Sequence, residues 1–164
     1  VEHGVGLDEE IVEEMARRGT FLVPTLSAPA NIIARGEASG IPKEFVDKTR
    51  WLFDEHVAGF QRAVRAGVKI AMGTDAGTPF NLHGENAREL KLMAEYGLPA
   101  GDAIQCSTSR AAELLGMEEK VGSVAVGRWA DLLVVDGNPL EEISIVADPE
   151  KVYAVYRAGV RVDL

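Results

Sequence analysis

The stretch Val68-Lys69-Ile70-Ala71-Met72-Gly73-Thr74-Asp75-Ala76-Gly77 constrains this chain more than any other. A short apolar run ends in a carboxylate, and a glycine turn follows at once. Such a pattern reads as a buried strand with an acid held rigidly at its C-terminal tip, where α/β folds keep their active sites. The first four residues, Val1-Glu2-His3-Gly4, repeat the idea: the end of a strand with a potential ligand at its tip. The expectation is therefore a chain that begins inside a domain.

The segments between these tips alternate. Leu7 to Arg18 reads as a helix capped by Asp8 and ended by Gly19, with Ile11, Val12 and Met15 as its apolar stripe. Thr20 to Leu26 reads as a short buried strand with Pro24 near its end. Ser27 to Ile41 reads as a loop with a helical turn at Ala30 to Arg35. Pro42 opens a long helix to Ala66, with Phe45, Leu52, Phe53, Val57, Phe60 and Val64 on its buried side and Gly67 as its stop. Val68 to Met72 is the next strand. Helices follow from Glu85 to Glu95 and from Pro99 to Leu115. This order predicts right-handed βαβ units and a parallel sheet.

The pattern changes after Gly122. Ala130 to Asp136 reads as a strand, and Val152 to Tyr156 with Val160 to Val162 reads as a hairpin around Arg157-Ala158-Gly159. Two or three parallel strands neither close a barrel nor cover a sheet, because strands buried on both faces need neighbours on both edges. The expected fold class is α/β: about the last three βα units of a (β/α)8 TIM-type barrel over residues 1–120, then a small antiparallel β module over residues 121–164. A complete small α/β domain is the alternative.

Composition narrows the partners. The net charge is −9, which argues against nucleic acid. No segment approaches the ~18 apolar residues of a membrane span. The single cysteine, Cys106, excludes an intrachain disulfide framework and reads as a small core residue; a cytosolic setting fits. Trp51 and Trp129 read as packing residues, and His56 as solvent-facing on the long helix. No Gly-rich phosphate loop, Gly-x-Ser-x-Gly elbow or Cys-x-x-Cys occurs, which leaves nucleotide, serine-hydrolase and zinc-ribbon readings without support.

Four pieces carry a resemblance: Val1-Glu2-His3-Gly4, Gly73-Thr74-Asp75-Ala76-Gly77, Asn81 to Leu90, and Gly122 to Pro139. In this order they resemble the C-terminal part of a metal-dependent amidohydrolase, in the subgroup of imidazolonepropionase-like proteins and Xaa-Pro or Xaa-Arg dipeptidases. The resemblance covers essentially the whole chain. It implies a (β/α)8 barrel with one or two divalent metals, zinc before others, at the strand tips. By position His3 matches the metal-binding histidine of the sixth strand, and Asp75 the aspartate of the eighth. The ligands of the first, fourth and fifth strands have no counterpart here, so a metal-free chain is also expected.

The implied chemistry is hydrolysis of amide or peptide bonds in small substrates such as dipeptides or N-acyl amino acids. Bound zinc lowers the pKa of its water to ~7 and polarises the carbonyl. Asp75 takes the proton as general base and returns it to the leaving nitrogen. Read alone, an Asp before Ala-Gly is equally a turn opener. His83, in the following loop, either contacts substrate, steadies Asp75 or packs the loop. Arg88 reads as a helix-surface ion pair before a substrate contact. Two further readings stand beside this one: an imidazolonepropionase-type hydrolase of cyclic amides, and an inactive chain that associates with copies of itself through unpaired strands. A homo-oligomer is the expected assembly.

Overall fold

The computed structural model describes residues 1–163. β1 (Phe21–Leu22) pairs in parallel with β2 (Lys69–Ile70), Phe21 against Lys69 and Leu22 against Ile70. The N-terminal segment adds a third run. Glu2 and Val23 form a parallel bridge, with Val23 N donating to Val1 O and His3 N to Val23 O, both at 2.9 Å. Backbone groups of successive residues point to opposite edges, and Leu22 O accepts from Ala71 N on the other side. β1 therefore lies between the other two segments, and the C-terminal tips of all three lie at one end.

The helices cover this strip. α1 (Glu9–Arg18) opens with Asp8 accepting from Ile11 N at 2.9 Å and closes on Gly19 in the left-handed region, the cap and stop that the sequence predicts. Val12 and Met15 are buried, whereas Ile11 is exposed. α3 (Lys43–Arg65) turns its Val46, His56, Phe60 and Ala63 face inward. Phe45 and Leu52 are exposed, one residue off that stripe, and His56 is buried rather than solvent-facing. Gly59 explains the close approach: a Cβ there would stand 2.9 Å from Gly4 O. The core joins Leu7, Val12, Leu22, Leu26, Phe60, Ile70, Met93 and Cys106.

Three elements depart from expectation for identifiable reasons. The first strand is short because Pro24 has no N–H to donate and Thr25 turns to φ 53°. The turn expected at Ala30 is a full helix, α2 (Ser27–Arg35), with Pro29 in its first turn, where the missing N–H costs nothing. The helix expected from Pro99 to Leu115 is two, α5 (Ala100–Ser107) and α6 (Ser109–Leu114). They break at Thr108, where the Ser107 and Thr108 hydroxyls both donate to Ile104 O. α4 (Arg88–Glu95) starts three residues later than the expected Glu85.

Beyond them lies an antiparallel sheet: β3 (Leu132–Val135) with β4 (Val152–Arg157), and β4 with β5 (Val160–Val162). Ala158 and Gly159, at φ 50° and 80°, make the two-residue hairpin turn, and Asp131 Oδ1 accepts from Ala158 N at 2.7 Å. Trp51 and Trp129, expected to pack, are 64% and 52% exposed. Lys120 Nζ lies 5.9 Å from the Trp129 ring centroid. Among the described residues no helix is long and apolar enough to cross a membrane.

Candidate functional site

His3, Thr25 and Asp75 stand at the C-terminal tips of the three neighbouring parallel segments. All three have left-handed backbones, at φ 62°, 53° and 54°. A non-glycine residue there is uncommon, and a β-branched one is an outlier. Such conformations cost of order 1–3 kcal/mol each, persist only where surroundings over-determine them, and cluster at functional sites.

Each tip has identifiable supports. His3 Nδ1 lies 2.8 Å from Thr25 Oγ1, which leaves Nε2 as its other polar atom. His56 Nε2 donates to His3 O at 2.7 Å. Burial pushes the His56 imidazole below its ordinary value, against the hydrogen bonds to the His3 and Pro24 carbonyls. Gly73 admits the Asp75 tip, because a Cβ there would collide with Val23 Cγ1 at 2.4 Å.

The loop after Asp75 folds back on its own backbone. Asn81 Nδ2 donates to Thr74 O at 2.6 Å and to Asp75 O at 3.1 Å, and Gly77 N donates to Asn81 O at 2.8 Å. The Asp75 and His83 side chains are exposed, and His83 lies on the Gly77 side of this loop. Arg88 pairs with Glu85 at 2.9 Å, the helix-surface ion pair that the sequence suggests. A separate cavity of about 430 Å³, lined by Val68, Lys69, Ile70, Asp102 and Arg110, lies at the opening end of β2, away from Asp75.

Sequence reasoning missed Glu89. It is fully buried, and its two carboxyl oxygens accept from Leu26 N and Ser27 N, both at 2.7 Å. Burial raises this carboxyl to about 7, against the lowering effect of the Ser27 and Leu26 hydrogen bonds. The signal was present: Glu89, Leu90 and Met93 share the inward face of α4, so the acid sits on the apolar stripe.

Nitrogen and carboxylate donors such as His3 and Asp75 suit a divalent cation in kind. Among the described residues no three His, Cys, Asp or Glu side chains come together to hold one. Zinc takes three or four such ligands, so these residues can contribute to a metal site but do not form one by themselves.

An α/β chain with its polar groups gathered at the parallel strand tips defines the class, and the chain belongs to the amidohydrolase family, whose model matches residues 1–162. It is 33% identical over 161 residues to an ochratoxinase of Aspergillus niger, covering 97% of this chain and 32% of that protein. A crystallised Xaa-Pro dipeptidase with methionine bound in its active site is 38% identical, with a TM-score of 0.86 over 99% of this chain and 39% of its own. A prolidase complexed with N-methylphosphonate-L-proline is 35% identical, with a TM-score of 0.87 over 99% of this chain and 39% of its own. The chain thus spans about a third to two-fifths of the relatives it matches.

Proposed function

We propose that this chain supplies the C-terminal part of the active site of a metal-dependent amidohydrolase that cleaves C–N bonds in small substrates, dipeptides and N-acyl amino acids first among them. The observation that carries the reading is that His3 and Asp75 stand at the tips of the two segments flanking β1, at the same end of the strip, each held in a left-handed backbone. Residues 1–120 would be the last three βα units of a (β/α)8 barrel and residues 121–164 its appended β module. The likeness to a prolidase and an Xaa-Pro dipeptidase supports the dipeptide class.

A divalent metal, zinc before others, would be held in part by His3 Nε2 and an Asp75 oxygen, and when bound would lower the pKa of water and polarise the scissile carbonyl. Asp75, exposed at its tip, would accept a proton from the attacking water and return it to the leaving nitrogen. Thr25 and His56 fix the ring and the carbonyl of His3, so its free nitrogen keeps one direction. His83, across Gly77, is the candidate for substrate contact.

Asp75→Asn keeps the size and removes the basicity. On Xaa-Pro dipeptides it should lower kcat by ~10²–10⁴-fold, the range of a lost general base. Zinc titration of wild type and Asp75→Ala reads the ligand role separately. Unchanged turnover and unchanged zinc affinity together would refute the reading.

A second reading, a non-catalytic chain that self-associates, draws on the two-donor set and on the exposed Val124, Val126, Tyr153 and Val160. Sedimentation at several concentrations distinguishes it, because a monomer throughout excludes it.

A further inference from the structure

We propose that Glu89 is the positioning residue for two strand tips at once: its carboxyl group fixes the amides that open α2, and through Ser27, Thr74 and Asn81 it sets the loop that carries Asp75. The role assigned to Asp75 rests on the function proposed above, whereas the connection itself does not.

The start of α2 lacks a local cap. Leu26 occupies the cap position in a helical conformation, at φ −61° and ψ −28°, and has no side chain able to accept from the free amides. Glu89, 62 residues beyond Ser27, supplies both acceptors. A serine, threonine or aspartate at the cap would satisfy such amides locally and at the surface. A buried carboxyl is a costly substitute, since removing it from water disfavours its charge. What it provides instead is a fixed reference between α4 and the tip of β1. Thr25, the left-handed residue that bonds His3, immediately precedes the clamped amides.

The same clamp reaches the neighbouring tip. Ser27 Oγ donates to Thr74 O at 3.4 Å, the carbonyl that also accepts from Asn81 Nδ2. Asn81 goes on to Asp75 O, and Asn31 Nδ2 of α2 donates back to Asn81 Oδ1 at 3.4 Å. Ser27, Asn31, Thr74, Asn81 and Glu89 are all buried, and among the described residues no buried side-chain nitrogen or oxygen lacks a partner. A closed polar network of this kind specifies one backbone arrangement, because each alternative leaves a buried group unpaired. It joins α2, α4 and the tips of β1 and β2, and it terminates on the carbonyl of Asp75.

The test is a comparison of the full chain with Glu89→Gln, Glu89→Ala and Asn81→Ala by amide NMR. Glu89→Gln keeps the side-chain size and one acceptor oxygen. It should leave the far-UV circular dichroism unchanged and speed exchange at Leu26 and Ser27 by about tenfold, as expected when a donor NH2 replaces one of the two acceptor oxygens. The amide peaks of Asp75, Ala76 and Gly77 should shift with it, and more in Glu89→Ala. In the Asn81→Ala background, Glu89→Gln should move those peaks less, because only the Ser27–Thr74 link then remains. Shifts confined to Leu26 and Ser27 would reduce Glu89 to a local cap and overturn the proposal. Should Glu89→Ala fail to fold, Glu89→Gln and the Asn81→Ala background decide alone. On a dipeptide, Glu89→Gln should lower kcat about tenfold with KM within about twofold, the split of a misplaced reacting group. If wild type hydrolyses nothing, the functional reading fails while the amide comparison still decides the connection.

Discussion

β4 runs for six residues with a paired strand on each side, yet Ala154 is its one buried residue. β1 and β2 share two residue pairs, yet Leu22 and Ile70 are 0% and 2% exposed. Ladder length and burial are thus decoupled in this molecule. The antiparallel sheet is held by local pairing across a two-residue turn and faces outward, with Tyr153 and Val160 exposed. The parallel strip is held from outside, by helices that bring Phe60, Met93 and Cys106 onto it and by polar side chains that reach its tips. Pairing alone adds little to stability, since strand backbone exchanges one set of hydrogen bonds for another in water. Burial and satisfied buried polar groups separate the two regions.

The comparison breaks first at Phe60. Phe60→Ala, which empties a fully buried position of α3 in the core, should cost about 3–5 kcal/mol, read as a lower denaturant midpoint in chemical unfolding. A loss below about 1 kcal/mol would mean that the parallel strip owes little to its helices.

The second effect is in pH. Glu89 titrates near 7 in the folded chain against an ordinary 4.5, so the folded state holds that proton more tightly than the unfolded state does. Its contribution is fully present below about pH 4.5 and is lost as pH rises through about 7. A displacement of that size corresponds to about 3 kcal/mol. Urea unfolding at pH 5 and pH 8 should show wild type losing stability relative to Glu89→Gln by roughly that amount. Parallel pH curves for the two proteins would mean that the carboxyl stays ionised throughout.

The smallest effect is expected in the outer sheet. Val160→Thr, at an exposed position of β5 with β-branching preserved, should change stability by no more than about 0.5 kcal/mol. A larger loss in thermal unfolding would show that this sheet's outer face is covered in solution.

Much of the frame was legible in the sequence because its signals are local. Asp8 and Gly19 bound α1, Gly159 marks the hairpin turn, and the runs ending at His3 and Asp75 announce the strand tips. What was missed is the work of groups distant in sequence. α2 looks like a loop because its cap is Glu89 rather than a neighbour. His56 looks solvent-facing among Asp54 and Glu55, yet it lies on one face with Phe60 and Ala63, and the His3 carbonyl is its partner. In both cases a polar residue on an apolar stripe was the available sign. Among the described residues no three His, Cys, Asp or Glu side chains come together, so no local pattern points to a complete metal site.

The left-handed backbones at His3, Thr25 and Asp75 have a consequence for engineering. Glycine adopts that conformation freely, and replacing a strained residue with it relieves a penalty of order 1 kcal/mol. A campaign that selects this chain for heat resistance would therefore be drawn to these three positions. Its most successful variants would lose the exposed His3 ring and Asp75 carboxyl and the buried Thr25 hydroxyl that bonds the ring. Thermostability is a poor proxy for fitness here, and a library should hold these three codons fixed before any other.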